Sequence, residues 1–270
     1  MIPARFAIAR RGSPGISIGA DVANINLRTL ANAAGYTSGD CTIHIPAGVE
    51  VYSATAGSPA VTAGSWPAGV NVTLVNHGTI SGAGGAGGNG YVISTAAPTA
   101  GQAGGTALDA SAATAFTFTL DNTGGTIRGG GGGGAGGGGG SAFISADIGF
   151  FSGFFAGGGG GGGKGRVGGG AGNPGYFDSF GNLPAAGTAG SPSSAGVGGA
   201  ASTDGANYGI GYRGGDGGEW GSAGGAPSGA PTGDVNFDGP QIGGAAGRSI
   251  NGHSLVTVLA TGTLIGPTAG

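Results

Sequence analysis

Long runs of glycine constrain this chain more than any other feature. Glycine supplies 73 of the 270 residues, whereas average usage is about 7%. The glycines gather in tracts, which cover roughly residues 82–90, 129–140, 157–172, 196–200, 214–225 and 243–247. A collagen triple helix is excluded, because it needs glycine at every third position and abundant proline. Runs such as Gly129 to Gly134 break that register.

The number of tracts favours an ordered bundle over flexible linkers. A single tract is ordinarily a linker, because glycine loses more conformational entropy on ordering than any other residue. Charged residues make up only 8% of this sequence, so the chain lacks the high charge of most disordered segments. Extended helices with three residues per turn make no internal hydrogen bonds, and their amides must be satisfied by neighbours. We predict such a bundle, with residues 129–140 and 157–163 at its centre.

Three consecutive regions are predicted along the chain. Residues 1–81 form an N-terminal attachment region with one short helix and β-strands, residues 82–250 form the glycine-rich bundle, and residues 251–270 form a C-terminal strand. The helix is predicted to begin after Asp21, which can cap it, and to end at Gly35. The predicted fold class is therefore mostly β and irregular, followed by a polyglycine II-like bundle.

Alternating apolar residues predict the strands of the N-terminal region. Cys41–Ile45 and Val49–Tyr52 flank a turn at Pro46–Gly48, which suggests either a hairpin or one rung of a short β-solenoid. Val70–Val75 is predicted to be the next strand. The lone Cys41 is interpreted as a buried, small apolar residue.

An internal repeat connects these strands with the glycine tracts. Leu74–Gly82 matches Leu120–Gly129 if one inserted glycine is allowed, and Val258–Gly266 is a weaker third copy. The first two copies run directly into glycine tracts. Each copy therefore resembles a short strand that delivers the chain into a tract.

The motifs that could carry chemistry are weak. Gly158–Gly165 imitates a phosphate-binding loop, but Gly165 stands where the magnesium-binding Ser or Thr is needed. Asp234, Asn236 and Asp238 match the first half of a calcium loop, whose closing acid is missing. Asx turns explain these three residues more simply, so calcium remains a weak candidate. We predict no cofactor.

An enzyme is not expected either. The chain has only two glutamates, which argues against a paired-carboxylate hydrolase. No nucleophile motif stands in a strand-turn-helix context. No run of Lys or Arg indicates nucleic acid. No apolar stretch reaches the length of a membrane span.

The alternation of glycine tracts with aromatic segments resembles the distal tail-fibre adhesins of T-even-type phages, which fold as a sandwich of polyglycine II helices. This resemblance covers roughly residues 82–250 and rests on the pattern rather than on a fixed motif. The strand, Gly-Thr-Ile-x-Gly and glycine-tract layout is also similar to glycine-rich tail proteins of many phages. The resemblance implies a structural and adhesive protein at a fibre tip, which binds the host surface through loops at one end of the bundle.

The resemblance also implies a location and partners. A virion protein assembled in the host cytoplasm agrees with an N-terminus that does not read as a signal peptide. Other tail or fibre proteins are expected to bind residues 1–81, with a homotrimer among the assemblies considered, and the receptor is a host cell-surface protein or glycan. The alternatives are a purely structural tail protein and an ice-binding glycine-rich protein, which would need a flat, repetitive face.

Aromatic residues between the tracts are the candidate receptor contacts, because a glycine bundle has no side-chain core in which to bury them. Successive connections alternate between the ends of an up-and-down bundle, so not all of the loops can share one end. A hydrophobic plug is the alternative role for the phenylalanines. The candidates are Phe150, Phe151, Phe154, Phe155, Tyr176, Phe177, Tyr208, Tyr212 and Trp220.

Overall fold

The computed structural model describes residues 15–91, 97–146, 149–175, 183–202, 211–229 and 241–270, and for residues 140–146 and 149–155 it describes the backbone alone. The chain forms two compact units. The β unit comprises Met1–Gly82, Gly105–Gly129 and Arg248–Gly270, and the glycine unit comprises Ala83–Gly104 and Gly130–Gly247. The division therefore differs from the three consecutive regions predicted from the sequence, because both units are discontinuous.

The described secondary structure consists mainly of short strands. In chain order, it comprises β1 (Gly15–Ser17), β2 (Val22–Ala23), β3 (Ile25–Asn26), α1 (Leu27–Ala33), β4 (Cys41–Ile45), β5 (Glu50–Tyr52), β6 (Val61–Thr62), β7 (Asn71–Asn76), β8 (Thr79–Ser81), β9 (Leu108–Asp109), β10 (Thr117–Asp121), β11 (Thr126–Arg128), β12 (Gly140–Ala146), β13 (Gly149–Phe155), β14 (Ile250–Asn251), a 3₁₀ turn (His253–Leu255), β15 (Val256–Ala260), β16 (Thr263–Ile265) and β17 (Thr268–Ala269).

The β unit is a three-sided parallel β-solenoid. Its strands form three five-stranded sheets, in the orders β1-β4-β7-β10-β15, β2-β5-β8-β11-β16 and β3-β6-β9-β14-β17. Each pass of the chain gives one strand to each sheet, so five rungs are stacked. The turn at Pro46–Gly48 is a corner between two sheets, since β4 and β5 do not pair with each other. The solenoid alternative was therefore correct and the hairpin alternative was wrong.

The internal repeat corresponds to consecutive rungs. The positions that it aligns lie opposite one another, namely Leu74, Leu120 and Val258 in the first sheet and Ile80, Ile127 and Leu264 in the second. The inserted glycine of the second copy lies at the corner between β10 and β11, where Gly124 has a φ of 70°. The repeat is a consequence of parallel, in-register stacking, since each rung fills the same interior positions as its neighbours.

The solenoid core is apolar along its strands, and its buried polar residues lie at or next to the corners, of which the one between the first and second sheets holds Asn76 and Asn122. Ile43, Leu74 and Leu120 are fully buried. Cys41 is 1% exposed, and burial raises the pKa of its thiol to about 11, although the charge of Arg28 lowers it somewhat. Cys41 is therefore the inert apolar residue that the sequence predicted.

A pair of buried asparagines closes that polar corner. Asn76 Nδ2 donates to Asn122 Oδ1 at 2.6 Å, and Asn122 Nδ2 donates to the carbonyl of Thr261 at 2.6 Å. The two side chains thereby connect three successive rungs and satisfy groups that would otherwise be buried without partners.

The helix is shorter than predicted at its start. Asn26, not Asp21, is the N-cap, and its side chain accepts from the amide of Thr29. Residues 22–23 and 25–26 instead form β2 and β3 in two different sheets, because the chain turns a solenoid corner at Asn24, whose φ is 50°. Gly35 ends the helix as predicted, with a φ of 85°. The amide of Tyr36 donates to the carbonyl of Ala31, which is the bond expected after a left-handed glycine.

The glycine unit is inserted twice at the same solenoid corner. Residues 83–104 lie between β8 and β9 in the third rung, and residues 130–247 lie between β11 and β14 in the fourth rung. Both insertions thus separate a strand of the second sheet from a strand of the third sheet. The C-terminal strands β15–β17 complete the fifth rung, so residues 251–270 belong to the solenoid.

Hydrogen bonds in the glycine unit repeat every three residues. In the first central tract (residues 130–138), the amides of Gly131, Gly134 and Gly137 donate to the carbonyls of Lys164, Gly161 and Gly158. The amides that follow these by one residue, such as that of Gly132, donate to residues 222–225. The amides that follow by two residues, such as that of Gly133, donate to residues 99–102. Successive amides therefore point in three directions, as in an extended helix with three residues per turn.

These bonds arrange the segments in three layers. The middle layer contains residues 242–247, 130–138, 156–165 and 185–191, one outer layer contains residues 99–104, 84–91 and 167–175, and the other outer layer contains residues 222–228, 211–219 and 195–202. Residues 130–138 and 156–165 (the second central tract) each have six neighbouring segments, three as donors and three as acceptors. The two tracts expected at the centre from their composition therefore occupy it.

The close approach explains why these tracts contain glycine. A Cβ atom at Gly134 would lie 2.0 Å from the carbonyl oxygen of Gly215, and one at Gly160 would lie 2.1 Å from that of Gly134. Such distances are far below van der Waals contact, and the obstructing atoms are backbone. Side chains are consequently confined to other directions and to the outer segments.

Candidate functional site

The connections of the glycine unit differ between its two ends. Near one end, which we call the loop end, Tyr91 is bonded to Gly137 and Gly175 is bonded to Gly157. The described residues that flank the connections 92–98, 139–155, 176–183, 203–210 and 229–241 all lie at this end. Every long connection within the glycine unit therefore begins and ends there.

The opposite end, which we call the turn end, carries short connections. Three turns at residues 165–167, 191–194 and 219–222 lie there, as the bonds from Gly165 to Ser191 and from Gly132 to Ser222 show. Residues 83, 104, 130 and 247, through which the chain passes to the β unit, lie at the same end. Long and short connections thus alternate along residues 130–228, in agreement with the predicted up-and-down path.

The candidate aromatic residues divide between these two ends. Tyr212 is half-buried in the segment that leads away from the loop end. Trp220 is also half-buried but lies in a turn at the turn end, so it does not share a surface with the loop-end candidates. Tyr176, Phe177 and Tyr208 lie outside the described residues, although their flanking residues lie at the loop end.

The phenylalanine-rich connection between the central tracts is a β-ribbon. The strands β12 and β13 pair antiparallel from Gly140 opposite Phe155 to Ala146 opposite Gly149, without a bulge. Phe150, Phe151, Phe154 and Phe155 belong to β13. The ribbon therefore extends from the centre of the bundle at its loop end.

Polar side chains at the tract ends hold the bases of these connections, and the sequence reading missed them. Asn89 Oδ1 accepts from the amide of Asn173 at 3.0 Å, and the amide of Asn89 donates to Thr99 Oγ1 at 2.8 Å. Ser202 Oγ accepts from the amide of Ala156 at 2.8 Å. The sequence did contain a signal for them, because each of these polar residues stands at the last turn of a glycine tract.

Two acidic side chains form a charged seam along the outer segment of residues 213–219. Lys164 Nζ lies 2.6 Å from Glu219 Oε2, and Arg213 Nη2 lies 2.6 Å from Asp216 Oδ1. Asp216 Oδ1 also accepts from the amide of Gly198 at 2.8 Å. Hydrogen bonding from Lys164 lowers the pKa of Glu219. Burial alone would raise the pKa of Asp216, but the Gly198 amide and Arg213 outweigh it, and the net shift is downward.

Acid should weaken the glycine unit through this seam. A carboxylate whose pKa is lowered on folding contributes stability that is present above its unfolded pKa, about 4, and is lost as the pH falls through the folded pKa. We expect a thermal unfolding midpoint that is flat between about pH 7 and 5 and falls below about pH 4. The double variant Asp216→Asn, Glu219→Gln should lose less on acidification than the unmodified chain. Equal losses in calorimetric scans would contradict this assignment.

The described part of the chain offers little else for chemistry. It contains no cluster of His, Cys, Asp and Glu side chains that could hold a metal ion, and the candidate calcium residues Asp234, Asn236 and Asp238 lie outside it. The phosphate-loop imitation at Gly158–Gly165 lies in the second central tract, where the amides of residues 158–163 donate to backbone carbonyls. Among the described helices, none has the length and apolar character needed to cross a membrane.

Long connections gathered at one end of a hydrogen-bonded bundle are typical of a binding protein, because loops on a rigid support commonly carry binding residues. Comparison with known families agrees, because the model of the phage tail fibre adhesin Gp38 family matches residues 15–269. The chain therefore belongs to this family of phage tail fibre adhesins. It is a structural and adhesive component of the phage virion tail, in a family whose members bind host receptors.

A solved structure supports the fold. The chain matches a chain of the gp37-gp38 adhesin tip complex of the bacteriophage S16 long tail fiber, with 22% sequence identity and a TM-score of 0.54. The match covers 93% of this chain and 79% of that chain. No curated protein sequence matches the chain.

Proposed function

We propose that the loop end of the glycine unit binds the host cell surface while the β unit holds the chain on the fibre. The observation that carries this proposal is the segregation of connections, since every long connection of the glycine unit starts and finishes at one end. Loops that bind a partner are typically positioned by a rigid support. The backbone bonds of the bundle supply this support without using the loops.

The support itself is best explained as a polyglycine II bundle. The three-residue repeat of bond directions, the six neighbours of each central tract and the absence of room for a Cβ all favour this packing. In polyglycine II every residue can donate and accept between chains. Such a bundle is rigid without a hydrophobic core, which suits a protein that presents its apolar residues in loops.

The fibre contact is proposed for the N-terminal end of the solenoid. The S16 relative was solved as a complex of gp37 with gp38, and residues 1–81 of this chain provide the first two rungs and part of the third. The edge strands β1, β2 and β3 end the three sheets at the first rung. In the described part of the chain no strand pairs with the outer edges of β1, β2 and β3, so polypeptide segments of a fibre protein could add a strand to each sheet.

One copy of the chain is sufficient for this arrangement. All three sheets come from a single chain, so a homotrimer of the adhesin is not needed to build the solenoid. We propose that the chain is made in the host cytoplasm, joins the fibre there and acts without enzymatic chemistry or a cofactor.

An ice-binding role is less consistent with the solenoid faces. Outward-facing threonines do form one column on the first sheet, namely Thr42, Thr73, Thr119 and Thr257. The neighbouring outward column is irregular, because His44, Val75 and Asp121 occupy it. A repetitive two-dimensional face is therefore missing from this sheet.

Adsorption measurements test the receptor-binding proposal. Alanine at Tyr208 or at Phe154 should reduce binding of the purified chain to host cells by about tenfold or more, since aromatic residues are frequent interface hot spots. Trp220→Ala is the matched control, because Trp220 lies at the turn end, and it should leave adsorption unchanged. Thermal unfolding of each variant separates lost contact from lost folding.

The same measurements distinguish a purely structural tail protein. Such a protein would bind the fibre but would not bind host cells, whatever the variant. Unchanged adsorption by all folded loop-end variants, or reduced adsorption by Trp220→Ala alone, would refute the assignment of the loop end. Loss of fibre binding in these variants would place the aromatic residues in assembly instead.

A further inference from the structure

We infer that the β12–β13 ribbon takes an extended segment of a host surface protein as a third strand. This inference rests on the proposed receptor-binding role of the loop end and specifies how that end recognises its partner. The partner is a polypeptide backbone, and the ribbon contributes hydrogen-bonding edges as well as side chains.

The register of the ribbon provides the edges. Each strand has 7 residues, and within the described part of the chain the two strands pair only with each other. In an antiparallel pair, alternate residues exchange both of their backbone bonds with the partner strand, and the residues between them direct their amides and carbonyls outward. The pairing continues without a bulge along the whole ribbon, so each outer edge is a regular row of donors and acceptors.

The composition of the ribbon lacks the usual protection of such edges. Natural edge strands are shielded by charged residues, proline or bulges. The strands β12 and β13 contain only Gly, Ser, Ala, Phe and Ile. An isolated two-stranded ribbon is also marginally stable by itself. A third strand would both satisfy the edge and stabilise the ribbon, which is the physical basis of recognition by strand addition.

The same composition argues against the other receptor chemistries. Anionic lipid or phosphate groups would require Lys or Arg, and neither strand contains one. Recognition of a sugar would require several directed polar side chains, whereas serine is the only polar residue type in the strands. Backbone groups are therefore the main polar groups that the ribbon can offer.

The base of the ribbon is held in place for this role. The strand β13 continues into Ala156, whose amide donates to Ser202 Oγ at 2.8 Å and whose carbonyl accepts from the amide of Ser202 at 3.1 Å. Beyond it, the second central tract is bonded to six segments. A support that is already ordered reduces the entropy lost on binding.

Single proline substitutions test strand addition, because proline removes one backbone donor. Ser141 and Ser152 belong to one set of alternating positions in the ribbon, and Ala142 and Gly153 belong to the other. Proline in one set breaks the pairing of the ribbon, and proline in the other set removes only outward amides. The matched controls are Ser141→Ala, Ser152→Ala, Ala142→Ser and Gly153→Ala, which keep the amide.

Proline variants of the set whose amides point outward should keep the far-UV circular dichroism and the melting temperature of the unmodified chain. Their host-cell binding should fall about tenfold, equivalent to about 1.4 kcal/mol. The matched controls should bind normally. Binding within twofold of normal by outward prolines in both strands would overturn strand addition. The proposed function would survive that result if the unmodified chain still binds host cells, and would fail only if it does not.

Two further measurements keep the inference decisive. If both sets of proline variants unfold the ribbon, hydrogen exchange of the unmodified chain replaces them as the test. The exchange of amides in residues 140–155 should slow about tenfold when host cell-envelope vesicles are added. No slowing would overturn the inference. Binding should survive periodate oxidation of the cells and be lost after protease treatment, and the reverse would indicate a glycan. A ribbon-dependent dimer in sedimentation, with host binding unaffected by the prolines, would assign the edge to a second copy.

Discussion

Gly134→Ala should prevent the glycine unit from folding, although it adds only one methyl group. The new Cβ atom would lie 2.0 Å from the carbonyl oxygen of Gly215 and 2.5 Å from its carbonyl carbon. Ordinary contacts between carbon and oxygen are more than 3 Å long, so the two tracts would have to separate by about 1 Å. No flexible side chain is present to absorb this displacement.

The displacement is costly because Gly134 lies at the centre of the bundle. Its amide donates to Gly161 at 2.8 Å, and its carbonyl accepts from Gly88 at 2.8 Å. Moving the tract weakens rows of bonds to several neighbours at once, and each buried group left without a partner costs about 1–3 kcal/mol. A total of more than about 4 kcal/mol is comparable with the whole stability of many domains.

Gly170→Ala is the matched control. Gly170 lies in an outer segment, where a Cβ atom would have nothing within 4 Å. We expect a change of less than about 1 kcal/mol, and even a small gain, because alanine restricts the unfolded chain. Calorimetry and hydrogen exchange of residues 131–137 measure both variants. Protection of these amides in Gly134→Ala equal to that in Gly170→Ala would show that the bundle tolerates side chains at its centre.

The glycine tracts could be predicted from the sequence because the requirement for glycine at closely packed positions is local. A tract surrounded by neighbours needs glycine at nearly every position, and residues 130–138 meet this demand except at the buried Ala135, while residues 157–163 meet it throughout. The repeat at Leu74 and Leu120 was readable for a similar reason, since stacked rungs fill equivalent interior positions. In both cases the packing leaves a pattern within a few consecutive residues.

The third sheet and the double insertion left no such pattern. Strands β9 and β14 have 2 residues each, which is too short to show alternation. They pair Leu108 with Ile250, across a sequence separation that contains most of the glycine unit. Local propensity carries no information about a contact of this kind, so the predicted boundaries followed glycine content instead of the solenoid.

The candidate site was predictable in kind but not in place. Aromatic residues between the tracts indicated the connections, yet the end at which each lies depends on counting every pass of the chain. Residues 219–222 form a short turn, so Trp220 lies away from Tyr212 despite their proximity in sequence. The short turn carries Ser and Gly beside Trp220, and this turn composition is the local signal that distinguishes it.

Removing the whole glycine unit should leave a folded solenoid that binds the fibre and no longer adsorbs to host cells. The fifth rung shows how short the relevant corner can be, because only Gly266 and Pro267 separate β16 from β17. In the register of the sheets, Gly129 and Ser249 of the fourth rung occupy the equivalent positions. Gly82 and Ala107 do so in the third rung.

Deletion of residues 83–106 and 130–248 would therefore join residues that already lie in register. The joined corners have glycine at the first position, as the fifth rung has Gly266 with a φ of 108°, so they can adopt the same backbone conformation. The buried apolar cluster of the solenoid contains no residue of the glycine unit. Its core consequently remains complete after the deletion.

We expect the shortened chain to melt cooperatively, to show the circular dichroism of a β protein and to compete with the full chain for the fibre with an affinity within about tenfold. Host-cell binding should fall to background, a loss of more than about a hundredfold, because every loop-end residue is gone. A matched variant that lacks only residues 176–182 should keep the fibre contact and isolate the contribution of one connection.

The two possible failures have different meanings. A shortened chain that folds but does not compete for the fibre would show that the glycine unit, rather than the first rungs, makes the attachment. A shortened chain that still adsorbs to host cells would move the receptor contact to the solenoid faces. Loss of host-cell binding with retention of fibre binding is the result that the proposed division of roles predicts, since among the described residues each unit contains its own network of backbone hydrogen bonds.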